Sequence, residues 1–322
     1  MTGPDPLDGV VACAEVAGLV APVVVACSGG PDSIALLAVA ARADLSPVAV
    51  HVDHGLRPSG VEEAAVVADL AHHLGVRCRA VRVEVAPGPN LEARARSARY
   101  EALERVAVEV DATAILTGHS ADDLAETVVL NLLRGSGTSG LAGIPFRRGP
   151  IVRPLLGVRR SELHAVAAAV GAAAGVEPVA DPTNDDERFR RNWVRHTVLP
   201  LLESGAGRDL VPVLARQARV MAEEAELLDA LADAVLADAG RDEPAVAVLR
   251  TAPRAIARRA LRRWLGPPWP SLADLGRVET VLDGARRAAE ITGGVRVSRR
   301  DGRLRRGLAC ATDADANDEG DA

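Results

Sequence analysis

Cys27-Ser28-Gly29-Gly30-Pro31-Asp32-Ser33 is the most informative segment of this sequence. It lies between a short β-branched run at 22–26 and an Ala- and Leu-rich run at 34–40, which predict a buried strand followed by a helix. The N–H groups in the first turn of a helix lack intrahelical partners and carry partial positive charge, so this junction favours an anion. The two glycines admit a ligand close to the backbone, the two serines add hydroxyl groups, and Asp32 can reach a metal ion that accompanies phosphate. A plain turn with an N-cap serine is the alternative, but such a turn does not need this whole set of residues.

The chain contains no lysine, because all 38 basic residues are arginine. A Walker A loop needs a lysine that reaches the phosphates, so that class of nucleotide site is excluded. Enzymes that carry AMP or a Schiff base on a lysine are excluded for the same reason. Positive charge on a bound phosphate must come from arginine, a metal ion or backbone N–H groups.

Composition bounds the class of protein. The 322 residues allow two domains, and with 48% apolar but only 2% aromatic residues the core must consist of Leu, Val, Ile and Ala. The four cysteines, Cys13, Cys27, Cys78 and Cys310, are scattered, which excludes a C-x-x-C metal site and a disulfide framework and indicates a reducing compartment. The N-terminus lacks a signal peptide and no uncharged run approaches about 20 residues, so we expect a cytoplasmic protein without a membrane span.

Charge is distributed unevenly around a net value of −6. Residues 311–322 hold five acids and no base, which predicts a disordered acidic tail. Residues 241–310 hold 16 arginines against 7 acids. This asymmetry suggests a nucleic-acid contact, with a solvated arginine-rich surface as the alternative.

Strand-like and helical segments alternate along the first half of the chain. Strands are predicted at about 22–27, 46–52, 79–85, 113–117 and 151–156, with helices at about 59–74, 90–110 and 121–134 and another starting at Ser161. This order predicts an α/β fold with a doubly wound parallel sheet of about five strands, in which the alternating third strand lies at an edge. We predict a domain at 1–186, a helical region at 187–240, a small basic domain at 241–310, with a helix at 254–265 and a hairpin in 293–308, and the tail at 311–322.

Polar residues cluster where the predicted strands end, which is where ligands bind on parallel sheets. The second strand ends in His51-Val52-Asp53-His54-Gly55-Leu56-Arg57. Two histidines and an aspartate could ligate zinc, but no other His or Cys cluster supports this. A nucleotide or substrate loop is preferred, with Arg57 as a phosphate contact, and a simple polar turn is the alternative.

The fourth strand ends in Gly118-His119-Ser120-Ala121-Asp122-Asp123-Leu124-Ala125-Glu126-Thr127. His119 is a candidate base or phosphate contact near neutral pH. Asp122, Asp123 and Glu126 share one helix face and could bind Mg²⁺ or a substrate ammonium group. Helix capping is the alternative for either aspartate alone.

Two later segments are basic. Arg134 precedes a Gly- and Ser-rich run at 135–140, which suggests a lid with a phosphate contact. Asp181-Pro182-Thr183-Asn184 precedes an arginine-rich segment at 188–200 that also carries one Phe and one Trp. Such a segment offers arginine to phosphate and aromatic rings to bases, or it is an exposed helix face.

These motifs, in this order, resemble tRNA(Ile)-lysidine synthetase of the PP-loop (adenine nucleotide alpha hydrolase-like) superfamily, in a short form. The resemblance covers about residues 20–205, with one departure at Leu124, where the family usually has Gln. It implies that ATP with Mg²⁺ adenylates the C2 oxygen of the wobble cytidine of tRNA(Ile) with a CAU anticodon. The ε-amino group of free L-lysine then displaces AMP, and a homodimer is suggested.

Under this resemblance the candidate residues take three kinds of role. The expected catalytic residues are Asp32, His119, Asp122, Asp123 and Glu126, with Asp32 and Asp122 as the Mg²⁺ ligands. The expected ATP-binding residues are Ser28, Gly29, Gly30, Pro31, Asp32, Ser33, His51 and Asp53. The expected tRNA or substrate contacts are Arg57, Arg134, Arg191, Asn192 and Arg195. A tRNA thiolase of the same superfamily is the runner-up, although thiolases usually need clustered cysteines, and a non-catalytic tRNA- or nucleotide-binding protein is the third alternative.

Overall fold

The computed structural model describes residues 5–55, 60–85, 88–179, 186 and 188–308. Contacts between residues group the chain into two compact units, 1–222 and 223–322. The predicted boundaries at 186/187 and 240/241 are not tested by this grouping and stay predictions. The predicted acidic tail at 311–322 lies outside the described residues.

A six-stranded sheet forms the centre of the first unit. Its strands are β1 (Val23–Ala26), β2 (Pro47–Asp53), β3 (Arg77–Arg82), β4 (Ala114–Leu116), β5 (Arg147–Arg148) and β6 (Ile151–Val152), in the order β3-β2-β1-β4-β6-β5. All neighbours pair in parallel except β5 and β6, which are antiparallel. The predicted parallel α/β fold is therefore confirmed, and β3 lies at an edge as expected. The strand predicted at 151–156 is shorter than expected, since Pro154 has no N–H group to donate to a ladder.

Helices cover both faces of this sheet. They are α1 (Pro6–Cys13), α2 (Pro31–Arg42), α3 (Gly60–His73), α4 (Leu91–Glu109), α5 (Ala121–Leu133), α6 (Thr138–Leu141) and α7 (Arg160–Ala174). Side chains alternate along β1: Val23 and Val25 pack in the core built with α2, α3 and α7, whereas Val24 packs against Leu103 of α4. The return connection through α4 thus crosses the opposite face, as doubly wound sheets require.

A helical segment with a π-helical turn follows. Helix α8 (Arg190–Trp193) continues through the π-helical turn Val194–Val198 into α9 (Leu199–Ala206) and is followed by α10 (Val211–Ala239). Pro200 lacks the N–H group that would bond the carbonyl of residue 196, so a wider turn before it keeps the helix continuous. The division between the two units falls within α10.

After the end of α10, the described part of the second unit contains three helices and a small sheet. Helices α11 (Val246–Thr251), α12 (Arg254–Leu265) and α13 (Leu272–Leu282) precede β7 (Ala288–Ile291), β8 (Val295–Arg300) and β9 (Arg303–Leu308), which form an antiparallel meander in the order β7-β8-β9. The helix predicted at 254–265 is confirmed as α12, and the predicted hairpin corresponds to β8 and β9. Arg258 pairs with Glu279, so part of the basic charge is neutralised within the unit.

Among the helices described here, none is both long and apolar enough to cross a membrane.

Candidate active site

The loop at 27–30 joins the carboxyl end of β1 to the first turn of α2. Gly29 adopts φ +82°, which favours glycine, and a Cβ atom there would lie 2.8 Å from Val179 Cγ2. Gly30 is the N-cap residue and Pro31 is the first residue of α2. Ser33 Oγ donates to the Gly30 carbonyl at 2.8 Å and accepts from the Ser28 N–H at 3.2 Å. These hydrogen bonds fix the loop, and the N-terminus of α2 lies at the carboxyl ends of the parallel strands.

The end of β2 contributes His51 and Asp53. His51 is buried, and its Nδ1 lies 3.2 Å from the Cys27 carbonyl oxygen, so Nδ1 carries the proton in this contact. Its Nε2 is buried without a hydrogen-bond partner among the described residues and can accept one from a ligand. Asp53 instead accepts from the Gly55 N–H at 2.8 Å, and a Cβ at Gly60 would lie 2.5 Å from its Oδ1, so its carboxylate lies against the first residue of α3. Arg57, expected to contact phosphate, lies outside the described residues.

The end of β4 lies directly against the first turn of α2. A Cβ atom at Gly118 would lie 2.8 Å from the carbonyl oxygen of Asp32, so only glycine permits this approach. Next to it, His119 Nδ1 lies 3.1 Å from Thr117 Oγ1. Burial lowers the pKa of His119 to about 4, and the charges of Arg153 and Arg96 act in the same direction. His119 is therefore neutral at pH 7 and available as a hydrogen-bond or proton acceptor.

Helix α5 starts in a capping box. Ser120 Oγ accepts from the Asp123 N–H at 3.3 Å, while Asp123 Oδ2 accepts from the Ser120 N–H at 2.9 Å. Burial by itself would raise the pKa of Asp123, but Arg160, the Ser120 N–H and Arg191 outweigh it and the pKa is lowered. Asp123 therefore caps helix α5, as the alternative interpretation predicts. Its other carboxylate oxygen, Oδ1, still faces Arg160.

Four arginines surround the predicted acidic cluster. We call Asp122, Asp123, Glu126, Arg159, Arg160, Arg191 and Arg195 the arginine–carboxylate network. Arg160 donates to Asp123 Oδ1 at 2.8 Å and to Glu126 Oε1 at 2.9 Å. Arg195 Nε donates to Glu126 Oε1 at 2.7 Å, and Arg191 Nε lies 3.2 Å from Glu126 Oε2. The side chain of Glu126 is only 1% exposed, so this carboxylate is fully enclosed by guanidinium groups.

Asp122 and Arg159 extend this network. Asp122 Oδ2 accepts from the Arg160 N–H at 2.7 Å and from Arg159 Nε at 3.2 Å. Arg159 also binds Asp209. These acids pair with arginine side chains of the chain itself, and their binding of Mg²⁺ or a substrate ammonium group stays a prediction.

Asp32 is the residue that best fits a metal ion. Burial raises its pKa to about 7, repulsion from Asp123 adds to this, and Arg160 and Arg195 oppose it. Arg160 Nε lies 3.9 Å and His164 Nε2 lies 3.6 Å from the carboxylate, and Oδ1 has no hydrogen-bond partner in the described part of the chain. A half-buried carboxylate with one buried and unused oxygen, next to the loop at 27–30, suits Mg²⁺, which commonly takes one or two carboxylates together with substrate phosphates and waters.

The second predicted ligand, Asp122, already accepts hydrogen bonds on both oxygens from Arg159. No group of three or more His, Cys, Asp or Glu side chains with metal-binding geometry occurs in residues 5–55, 60–85, 88–179 and 188–308. Asp32 therefore fits the magnesium prediction better than Asp122, and neither assignment is tested.

The predicted tRNA contacts occupy different environments. Arg134 is the exposed C-cap residue of α5. Arg191 and Arg195 point into the network, with side chains 42% and 24% exposed. Asn192 is buried and donates to the Asp186 carbonyl at 2.9 Å. Their assignment to tRNA stays a prediction, and the segment 181–184 lies outside the described residues.

Sequence reasoning missed two groups of residues. The first is the pair Arg159-Arg160 with His164, which follows the end of β6 by several residues and whose acidic partners no local pattern indicates. The second is Arg153, an arginine within an apolar segment, together with the arginines near the start of α4. Both groups lie beside the predicted site because their elements begin where strands of the sheet end.

Comparisons with known proteins agree with this geometry. The sequence matches the PP-loop domain family over residues 19–202. A tRNA(Ile)-lysidine synthase of Salinispora tropica is 43% identical over 88% of this chain and 90% of the relative, and one of Thermobifida fusca is 46% identical over 75% of each. The solved structure of the U34-tRNA thiolase NcsA from Methanococcus maripaludis with its [4Fe-4S] cluster is similar with a TM-score of 0.50, 16% identity, and coverage of 67% of this chain and 78% of that chain. At this identity the thiolase shows the fold alone.

Proposed function

The chain belongs to the tRNA(Ile)-lysidine synthase family, and from this premise we propose that it joins free lysine to C2 of the wobble cytidine of tRNA(Ile) with a CAU anticodon. It is a ligase of the PP-loop class that modifies tRNA. In the proposed reaction the cytidine C2 oxygen attacks the α-phosphate of ATP and displaces pyrophosphate. The ε-amino group of lysine then adds at C2, the C2–O bond breaks, AMP leaves, and the amine loses a proton.

One observation carries this proposal. The loop at 27–30, the neutral His119 and the arginine–carboxylate network converge at one edge of the sheet, because the end of β4 at Gly118 touches the backbone of Asp32. The helix N-terminus suits a phosphate leaving group, and the neutral His119 suits an attacking amine that loses a proton. The neighbouring carboxylates suit a cationic amino acid.

The residues divide the work as follows in our proposal. Backbone N–H groups at the start of α2, with Ser28 and Ser33, hold phosphate oxygens. A magnesium ion bound at Asp32 would neutralise charge on the leaving pyrophosphate. His119 accepts a hydrogen bond or the proton of the attacking amine, since its low pKa keeps it unprotonated at pH 7.

Asp122, Asp123 and Glu126 would receive the ammonium groups of lysine, and the arginines its carboxylate. Each of these carboxylates already bonds an arginine, so lysine binding requires an exchange of partners within the network. Guanidinium groups fork to carboxylates in pairs, which allows such an exchange without leaving a buried charge unpaired.

The decisive experiment is mass spectrometry of a CAU-anticodon tRNA(Ile) transcript incubated with the chain, ATP, Mg²⁺ and isotope-labelled lysine. The proposal predicts a gain of one labelled lysine residue at the wobble nucleoside and one AMP released per modified tRNA. A gain of sulfur mass in the presence of a sulfur donor would replace the proposal with thiolation, and no modification of any tRNA would leave only binding. Asp32→Asn should abolish AMP release, with Asp69→Asn, an exposed acid on α3, as the matched control.

Two further predictions belong to this proposal. We expect a homodimer, which light scattering coupled to size-exclusion chromatography will test over a tenfold concentration range. A cytoplasmic location also remains a prediction, and cell fractionation will test it.

A further inference from the structure

Two arginines of α4 stack on Tyr100, the one tyrosine of the chain. The guanidinium carbon of Arg96 lies 5.1 Å from the ring centroid, and that of Arg99 lies 5.6 Å from it. Arg96 also donates to the Tyr100 hydroxyl at 3.1 Å. The ring therefore holds two positive charges side by side, one exposed and one half-buried.

Arg153 adds a third positive charge that is almost completely buried, with 5% of its surface exposed. Its guanidinium donates to the Pro145 carbonyl at 2.7 Å, and its Nε has no hydrogen-bond partner in the described chain. Burial lowers the pKa of Arg153, interaction with Tyr100 opposes this, and repulsion from Arg96 adds to it. Burial likewise lowers the pKa of Arg99.

A counter-charge is missing from this group. Within the described residues, no carboxylate forms an ion pair with Arg96, Arg99 or Arg153, in contrast to the arginines of the network. Leaving a buried guanidinium unpaired is unfavourable, so the arrangement favours an anion that comes from outside the chain.

The position of the group connects it to the active site. Arg153 directly follows β6, and the first turns of α4 lie at the edge where the parallel strands end. The charges of Arg153 and Arg96 reach His119 after β4, and the charge of Arg99 reaches His54 after β2. The loop at 27–30 opens α2, which packs on the other face of the sheet from α4.

We propose that Arg96, Arg99 and Arg153 form a second phosphate subsite of the active site, separate from the loop at 27–30. The inference rests on the proposed function, which supplies two phosphate-bearing substrates. Guanidinium groups bind phosphate oxygens in pairs, and two of them on one aromatic ring with a third buried nearby suit a phosphodiester or phosphoryl oxyanion. The source is either the RNA backbone beside the target base or a phosphate of the nucleotide.

The test measures binding separately for the two sources. Arg96→Gln, Arg99→Gln and Arg153→Gln are compared with Arg105→Gln, an exposed arginine on the same helix α4. The dissociation constant of a CAU-anticodon tRNA(Ile) transcript is measured without ATP at four salt concentrations, and that of ATP with Mg²⁺ is measured without tRNA.

For the three subsite variants we expect the dissociation constant of one of the two ligands to rise 10- to 100-fold. The same constant should not change in Arg105→Gln. If the source is RNA, the slope of log affinity against log salt becomes less steep by about 0.7 to 0.9 for each lost phosphate contact. A purely structural role does not produce this change. If the source is the nucleotide, ATP binding weakens and the tRNA salt slope stays as in the unmodified chain.

Unchanged affinity and salt slope in folded Arg96→Gln and Arg99→Gln proteins would overturn the proposal. These two variants decide the result even if Arg153→Gln fails to fold, because their side chains are less buried. Lysine transfer by the unmodified chain is measured in parallel. Its absence would overturn the proposed function while leaving the binding comparison valid.

Discussion

Replacing Glu126 by Gln should destabilise the first unit although the side chain keeps its size. Its side chain is 1% exposed, and the carboxylate lies 2.7 Å from Arg195 Nε and 2.9 Å from Arg160 Nη1. Removing one partner from a buried ion pair costs about 3–5 kcal/mol, because the remaining charge stays buried and unpaired. Gln retains one acceptor oxygen, so we expect the lower end, about 3 kcal/mol.

Hydrogen exchange read by mass spectrometry measures this loss locally. A loss of about 3 kcal/mol corresponds to roughly 100-fold lower protection for peptides that cover α5, since 1.4 kcal/mol is a factor of ten. Peptides from α13 in the second unit provide an internal reference. Glu104→Gln, an exposed acid on α4, is the matched control and should change protection by less than about threefold.

A double-mutant cycle with Arg195→Gln then tests the cause. Two residues in direct ionic contact should show a coupling energy of about 1–3 kcal/mol. Additive effects within about 0.5 kcal/mol, or an unchanged protection of α5 in Glu126→Gln, would refute the view that the network stabilises this edge of the sheet.

Three other changes probe the remaining features. Gly118→Ala places a Cβ atom 2.8 Å from the Asp32 carbonyl oxygen and should lower kcat/KM for ATP at least tenfold, measured by AMP release, with folding unchanged by circular dichroism. His119→Gln should lower the rate of lysine transfer about 100-fold without changing the pH profile between pH 6 and 8, since a pKa of about 4 keeps the imidazole neutral throughout. Hydrogen bonds from Ser271 lower the pKa of Asp274 to about 2, so Asp274 stabilises the second unit above pH 4 and this contribution disappears between pH 4 and 2. Asp274→Asn should therefore cost about 1–2 kcal/mol in urea unfolding at pH 6, and a difference that persists at pH 2 would contradict this origin.

Local sequence patterns predict most elements of the first unit because each pattern agrees with the burial of that element in the folded protein. The β-branched run before Ser28 is buried on both faces, which makes a continuous apolar stretch a reliable strand signal. The two-residue strand β5 is different: Arg147 and Arg148 carry no strand pattern and pair only because the chain turns back on β6. The π-helical turn before Pro200 was likewise not predicted, because it depends on how the helix continues past the proline.

The candidate site shows the same limit in its charges. The position of Asp122, Asp123 and Glu126 on one helix face follows from their spacing, so their proximity could be predicted. Their partners could not, since Arg159 and Arg160 lie more than 30 residues away in sequence and reach the acids only after β6 pairs with β4. The exposed-face and nucleic-acid interpretations of Arg191 and Arg195 rest on charge, on the neighbouring Phe and Trp and on the family resemblance. None of these indicates whether a side chain faces solvent or a buried carboxylate.

The chain contains no lysine residue, and this bears on how the site could bind free lysine as a substrate. An arginine guanidinium is planar and weakly hydrated, so Arg160 can bridge Asp123 and Glu126 while its Nε remains 3.9 Å from Asp32. An ammonium group is a compact charge that binds one carboxylate more locally. Under the proposed function, free lysine brings one carboxylate and two ammonium groups, so an arginine released from an acid can turn to the substrate carboxylate while the acid takes an ammonium group. A fully paired network can therefore bind lysine by exchanging partners, provided that one ammonium group loses its proton before the amine attacks.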